Sequence, residues 1–183
     1  MKVLNKSFIG DFMFGTIMRV TRILPEVTPV LRLRGFLVSA FMGACGRNLQ
    51  ITKDVRISGV NNLWVGNDVF MSGGCWVLAT ERVTLGDGVM LGPYSIIVTG
   101  NHSMLDGSYR FGPPKRAPIC IKKGAWIAAH AVVCKGVTMG EGSLLSANSV
   151  AIRDVDDFSV VAGVPANKVR DVDAGISKGE GGR

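Results

Sequence analysis

The sequence predicts an all-β chain wound as a parallel solenoid of triangular coils, and three observations predict it. From Ile51 onward aliphatic side chains recur every six residues, a small side chain sits four positions after most of them, and Gly, Ser or Ala commonly follows directly. The series runs Ile51, Ile57 and Leu63, resumes after a two-residue slip at Val65, Met71 and Val77, and after another at Leu85, Leu91 and Ile97. Past residue 118 it returns in strict sixes at Ile121, Ile127, Val133, Met139, Leu145 and Ala151. The companion positions include Val69, Cys75, Ser95, Ala125, Ala131, Ser143 and Ser149.

Geometry explains the period. A short strand and a turn make one flat face, and three faces close a coil of about 18 residues whose backbone pairs with the coil above. The aliphatic residue points into the narrow prism, and the position four later must be small enough to sit beside it. Each buried aliphatic side chain contributes roughly 1.5 to 3 kcal/mol, so the stacked ladder is the main source of stability. Turns with φ > 0 are expected at Gly66, Gly86, Gly88, Gly140 and Gly142, with Asn67 and Asp87 beside them.

Residues 1–48 have a different texture. The stretches 8–24 and 30–43 carry apolar residues at near-helical spacing with arginines to one side, separated by Pro25 and Pro29. They are expected either to cap the open end of the core or to rest on an anionic membrane surface as interfacial helices. At the other end Asp156-Asp157-Phe158 leaves the pattern and Val164-Pro165-Ala166-Asn167-Lys168 is expected to break the strand. The organisation expected is a helical segment over 1–48, a solenoid over 49–170 and a flexible, glycine-rich tail over 171–183.

Composition narrows the partners. The chain has 183 residues and a net charge of +7, which favours an anionic partner such as a phosphate-bearing cofactor. Long basic blocks with interleaved aromatics are missing, so nucleic acid is not expected. Neither a signal peptide nor an uninterrupted apolar run of spanning length is present, which suggests the cytoplasm, with the membrane surface as the alternative. Four cysteines at 45, 75, 120 and 134 have no C-x-x-C spacing and suit packing roles in a reduced protein.

The chemistry is expected where the period is interrupted. The excursion 103–118 inserts about 16 residues into a coil, and long insertions between regular elements are often functional. It follows Gly100-Asn101-His102 and contains Tyr109, Phe111 and Pro113-Pro114-Lys115-Arg116; His102 is one of two histidines in the chain. The other, His130, lies within a repeat, where its side chain should point outward.

The repeats Val65-Gly66-Asn67-Asp68-Val69, Leu85-Gly86-Asp87-Gly88-Val89 and Met139-Gly140-Glu141-Gly142-Ser143 resemble the hexapeptide-repeat family. That resemblance implies a left-handed parallel β-helix of about five coils over residues 50–170. Asn101-His102-Ser103-Met104, Asp106-Gly107-Ser108-Tyr109-Arg110-Phe111, the segment 121–129 and the closing 161–169 resemble the xenobiotic acetyltransferase branch of the hexapeptide acyltransferases. The resemblance implies acetyl-CoA as co-substrate, no metal, a homotrimer, and His102 as general base. By similarity to the galactoside and maltose branch, Ala129, Ala147, Ile152, Arg153, Asn167 and Arg170 would meet the acyl-CoA, with Lys168 beside them. Ile152 stands where a threonine is common and Asn167 where an arginine is. Ser72, Asn101 and Tyr109 would face the acceptor, although Ser72 stands where that branch has asparagine.

Acyl transfer to a hydroxyl needs a base, and an imidazole with an ordinary pKa near 6.5 serves at neutral pH, contributing about 10² to 10⁴ in rate. Asp106 or Glu81 could orient the ring, or could be solvated acids only. The reading favoured is sugar O-acetylation in polysaccharide or lipid-linked glycan synthesis. An antibiotic-inactivating acetyltransferase, an N-acetyltransferase on an aminosugar nucleotide and a non-enzymatic solenoid scaffold are alternatives. A zinc carbonic anhydrase of this fold needs three histidine ligands, more than the chain has.

Overall fold

The computed structural model describes residues 6–173. Two helices, α1 (Lys6–Thr21) and α2 (Thr28–Ser39), lead into the solenoid. Its first coil is β1 (Ala44–Cys45), β2 (Gln50–Ile51) and β3 (Arg56–Ser58); its second is β4 (Leu63–Val65), β5 (Phe70–Met71) and β6 (Trp76–Leu78). The third is β7 (Val83–Leu85), β8 (Met90–Leu91) and β9 (Ile96–Val98), after which β10 (Gly100–Asn101) and β11 (Lys115–Arg116) form the root of the excursion. The fourth is β12 (Ile119–Ile121), β13 (Trp126–Ile127) and β14 (Val132–Cys134), and the fifth β15 (Thr138–Met139), β16 (Leu144–Leu145) and β17 (Val150–Ala151). The chain closes with β18 (Ser159–Gly163) and β19 (Ala166–Asp171).

Strands one coil apart pair in parallel to make three faces: β1-β4-β7-β12-β15 is the first, β2-β5-β8-β13-β16-β18 with β19 at its margin the second, and β3-β6-β9-β14-β17 the third. A sixth turn is partial, with Val155 bridging to Met139 and β18 lying on β16, so the solenoid has about six turns where five were expected. Every aliphatic position of the six-residue series is buried in a single core, and so are the small positions four later. The sequence around Val164 does not end the strand. It reverses it, and β19 returns antiparallel along β18 as far as Asp171. The expected tail lies outside the described residues from 174 onward.

The two slips in the period have one cause. Leu63 pairs with Val83 and Arg56 with Trp76, giving coils of 20 residues, whereas Cys120 pairs with Thr138 and Trp126 with Leu144, giving coils of 18. The extra residues sit at the edge between the third and first faces, within 59–62 and 79–82. Gly59, at φ +78°, opens the first insertion, and a Cβ there would lie 2.1 Å from the Ala79 carbonyl oxygen of the second. The Asp11 carboxylate of α1 accepts the N–H groups of Gly59 and Val60, each at 2.9 Å, and so holds the insertion from below. The excursion leaves from this same edge one coil higher.

Glycine after the aliphatic position has a different reason from the one expected. Gly88 and Gly142 do take positive φ, but Gly66, Gly86, Gly140, Asn67 and Asp87 do not. A Cβ on Gly66 would fall 2.4 Å from Asp87 Oδ1, on Gly86 2.6 Å from the Lys123 nitrogen, and on Gly140 2.4 Å from the Asp156 carbonyl carbon. At these corners the coils approach too closely for a side chain. The approach lets a carboxylate of one coil cap the coil below: Asp87 accepts the Asn67 N–H at 2.7 Å, and Asp157 accepts the Glu141 N–H at 2.8 Å and the Lys122 ammonium at 3.0 Å.

Those bonds pull both carboxyl pKa values below the ordinary range, through the Asn67 N–H for Asp87 and the Glu141 N–H for Asp157. The fold therefore prefers them ionised. Their stabilisation is complete above the ordinary carboxylate pKa and is lost as pH falls through the lowered folded values. Urea midpoints measured from pH 7 down to about pH 3 should fall through the carboxylate range. Asp157→Asn should lower the midpoint at pH 7 and make the acid decline shallower.

The helices cap the open end of the prism. Phe14 and Met18 of α1, and Val38 and Met42 in and beyond α2, join the core of the solenoid. Gly35 lets α2 seat on the first coil, since a Cβ there would lie 1.9 Å from the Leu49 carbonyl oxygen. Arg34, fully buried, ties the cap together. Its guanidinium meets Glu26 at 2.7 Å and donates to the carbonyl oxygens of Thr21 at 3.0 Å, Leu24 at 3.4 Å and Ile51 at 3.4 Å. The stretch 1–48 is not helical to its end, because β1 already pairs with β4.

Candidate functional site

Thr99 starts the site. Its hydroxyl is buried, donates to the Leu78 carbonyl at 2.9 Å and accepts the Glu81 N–H at 3.1 Å, so the second insertion and the root of the excursion are bound together. Beyond it the chain forms a two-stranded ribbon, with Gly100 opposite Arg116 and Asn101 opposite Lys115. The expected loop 103–118 is therefore shorter, and its irregular part spans 102–114. Leu105 and Ser108 exchange backbone hydrogen bonds at 2.9 Å around Asp106 and Gly107, at φ 48° and 77°, the positive-φ pair that a tight hairpin turn requires. Gly112 is buried against Ser103, whose carbonyl oxygen would lie 1.8 Å from a Cβ, and the Ser103 hydroxyl donates to the Pro113 carbonyl.

This ribbon and the second insertion enclose a cavity of about 370 Å³ lined by Leu78, Thr80, Val98, Gly100, Asn101, His102, Arg110, Gly112, Pro114 and Arg116. His102 follows the ribbon strand directly and is exposed at the wall. Leu78 and Val98 of neighbouring coils make an apolar floor. Asn101 is in the wall; Tyr109 is exposed on the hairpin and does not line the cavity. Asp106 sits at the hairpin tip, and neither it nor Glu81 lines the cavity. Thr80, Arg110 and Arg116 were not singled out from sequence. The slip at 79–82 and the basic pair Lys115-Arg116 are the signals that mark them.

The expected donor residues fall in two places. Ile152 and Arg153 follow β17 at the same edge as His102, and Arg153, Asn167 and Lys168 line a shallow cavity of about 150 Å³. Lys168 pairs with Asp171 at 2.6 Å and Arg170 with Asp173 at 2.9 Å, while the Asn167 amide donates to the Pro165 carbonyl at 3.1 Å. Asp171 raises the Lys168 pKa chiefly through that hydrogen bond. Ala129 and Ala147 lie instead at the edge between the second and third faces, where Asn148 N–H bonds the Ala129 carbonyl at 3.0 Å. Ser72 lies at that edge too, so one chain does not bring Ser72, Ala129 or Ala147 to His102: the third face lies between. His130, at φ 59° on this second edge, stacks on Tyr94 with centroids 5.1 Å apart. Among the described residues no group of three His, Cys, Asp or Glu side chains is placed to hold a metal ion.

Six-residue periodicity, three parallel faces and a histidine-bearing ribbon at one edge define a hexapeptide-repeat β-helix. Known proteins agree: the chain is 27% identical over 139 residues to the galactoside O-acetyltransferase of Escherichia coli strain K12, an alignment covering 76% of this chain and 68% of that one. Its fold matches a hexapeptide-repeat acetyltransferase of Vibrio cholerae solved with acetyl coenzyme A, with a TM-score of 0.78, 24% identity, and coverage of 90% of this chain and 88% of that one. It also matches a maltose O-acetyltransferase of Clostridium difficile 630, with a TM-score of 0.80, 21% identity, and coverage of 93% and 90%. No family model matches the chain. The chain spans little more than half the length of other relatives it matches. The chain therefore shares the fold of the hexapeptide-repeat acetyltransferases and is similar in sequence to a galactoside O-acetyltransferase.

Proposed function

We propose that the protein is an acetyl-CoA-dependent O-acetyltransferase that acetylates a sugar hydroxyl, with His102 as general base. The observation that carries this reading is the position of His102 in the wall of a cavity with an apolar floor and a polar rim. A sugar ring lies with its C–H face on Leu78 and Val98 and presents a hydroxyl to the imidazole. The imidazole takes the hydroxyl proton as the oxygen attacks the thioester carbonyl. When the tetrahedral intermediate collapses, the carbon–sulfur bond breaks and the proton passes to the departing CoA thiolate. Neither metal nor redox partner is needed for this balance.

The third face supports a homotrimer. Above Arg56 its outward positions on one ladder run Trp76, Ile96, Val132 and Val150, an apolar stripe suited to burial against another copy, while Leu78 and Val98 on the next ladder face the cavity. Packing there brings Ser72, Ala129 and Ala147 of one copy toward His102, Ile152 and Arg153 of the next, and completes a donor groove. Asn167, Lys168 and Arg170 lie at its far end, where they face the donor's phosphates.

The outer side of the helical cap supports a membrane-surface role. Phe8, Phe12 and Phe36 are 60%, 60% and 76% exposed, and Arg19 and Arg32 are exposed around the same end. No helix among the described residues is long and apolar enough to cross a bilayer. Contact with anionic headgroups through this face, at the cytoplasmic side where acetyl-CoA is made, suits a lipid-linked or polysaccharide acceptor.

The test is donor-dependent release of the CoA thiol over a panel of hexoses, glycan fragments, aminosugar nucleotides and chloramphenicol. Transfer to a sugar hydroxyl supports the proposal. Faster transfer to chloramphenicol replaces it with antibiotic inactivation, and absence of acetyl-CoA binding by calorimetry leaves a scaffold. Gly112→Ala supplies a second check, because the new methyl must push the ribbon off Ser103. Misplacement of this order is expected to lower kcat/KM about 10²-fold while the thermal midpoint holds.

A further inference from the structure

Charge is distributed unevenly in the His102 cavity. Arg110 and Arg116 both line it, Lys115 is exposed at its root, and no aspartate or glutamate is among the lining residues. Neither arginine forms an ion pair among the described residues, in contrast to Lys168 and Arg170, which are paired within the chain. Both are positioned by the ribbon. Arg116 lies opposite Gly100 with its Cγ 3.7 Å from where a glycine Cβ would be, and the Arg110 N–H is held by Ser108 Oγ at 3.1 Å while its guanidinium sits 5.5 Å from the Phe111 ring centre. Two arginines in the wall of an apolar-floored cavity to which this chain contributes no carboxylate suit a planar or tetrahedral oxyanion.

We propose that the acceptor is an anionic sugar, one that carries a carboxylate or a phosphate within reach of Arg110 and Arg116 while its reacting hydroxyl faces His102. This inference rests on the acetyl-transfer reading for the role of His102, but the charge preference belongs to the cavity itself. A uronic acid unit and a glycosyl phosphate present the same oxyanion chemistry. The arginines serve the acceptor rather than the donor because the cationic side chains proposed for the donor's phosphates, Lys168 and Arg170, follow the fifth coil, whereas Arg110 and Arg116 belong to the ribbon that leaves the third.

The experiment compares matched probes on the full-length protein: D-glucose, D-glucuronate and α-D-glucose 1-phosphate, in calorimetric binding and in acetyl transfer at saturating acetyl-CoA. The expected result is a preference of about tenfold or more for at least one charged probe over glucose, equivalent to one well-made charged contact. Glucuronate and the phosphate are separate arms, and the arm that shows the preference identifies the anion. Arg110→Ala and Arg116→Ala should each bring the charged-to-neutral ratio toward one, Arg116→Lys should restore part of it, and Arg47→Ala, exposed at the edge between the first and second faces, should leave it at the wild-type value. Equal binding of charged and neutral probes by the wild type overturns the proposal. So does a rise in KM for acetyl-CoA in the arginine variants with the acceptor ratio unchanged, which would assign the guanidiniums to the donor. A charge preference in binding with no acetyl transfer upholds the anionic site and overturns the transfer reading instead.

Discussion

His102→Ala lowers kcat for acetyl transfer by about 10² to 10⁴, the range that a positioned general base supplies. The loss is expected in kcat and kcat/KM together, because the imidazole acts on a proton that moves only as the hydroxyl attacks. Acetyl-CoA affinity should change little, since the residues proposed to meet the donor lie on other segments. Structure should be unaffected as well. The side chain is exposed, and the ribbon that carries it is held by the Thr99 hydroxyl, the pairing of Gly100 with Arg116 and the packing of Gly112 on Ser103, none of which uses the imidazole. A variant that keeps its thermal midpoint and CoA affinity but loses turnover establishes the base. One that retains full turnover removes His102 from the chemistry, and the exposed imidazole would then be a rim residue of a binding cavity.

The fold was legible because a solenoid repeats one solution. A six-residue period with one aliphatic and one small position leaves a single way to bury the side chains, and the buried ladder from Ile51 to Ala151 follows it residue by residue. The reason for glycine was less legible. Gly66 and Gly86 look like turn glycines in sequence, but what excludes a side chain there is the neighbouring coil, a contact about 20 or 36 positions away that local patterning does not report. The site was legible in half. His102 stood out because it interrupts the period, whereas Arg110, Arg116 and Thr80 needed the ribbon register and the stacking of the two insertions before they could be placed around it. The slips themselves were visible, and they mark the edge at which the site is built. The residues expected to meet the donor were read as one set, yet they occupy two edges of the prism, a separation that the six-residue period by itself does not report.

Arg34→Ala is expected to destabilise the protein by about 3–5 kcal/mol, more than any surface substitution. Arg34 was invisible in sequence as a structural residue, lying among Arg19, Arg22 and Arg32, which are exposed. Its guanidinium joins three segments that no strand connects: the carbonyls of Thr21 and Leu24 at the end of α1, Glu26 in the connection, and Ile51 in the first coil. Truncation leaves those carbonyls facing a void and strands Glu26, which is only one-third exposed and whose other oxygen accepts the Lys53 N–H at 3.3 Å. Arg34→Met fills the volume without the charge, so its cost should be about half that of alanine, the remainder measuring the unsatisfied carbonyls. Glu26→Gln should cost less again, about 1 kcal/mol, because water reaches the carboxylate and the arginine keeps its three carbonyl acceptors. Urea unfolding of the three variants gives this order directly. If Arg34→Ala shifts the midpoint no more than Glu26→Gln does, the guanidinium does not hold the cap. If the order holds and the m-value also falls, the helical cap has detached while the coils above it remain folded, which would make Arg34 the bond between the cap and the first coil.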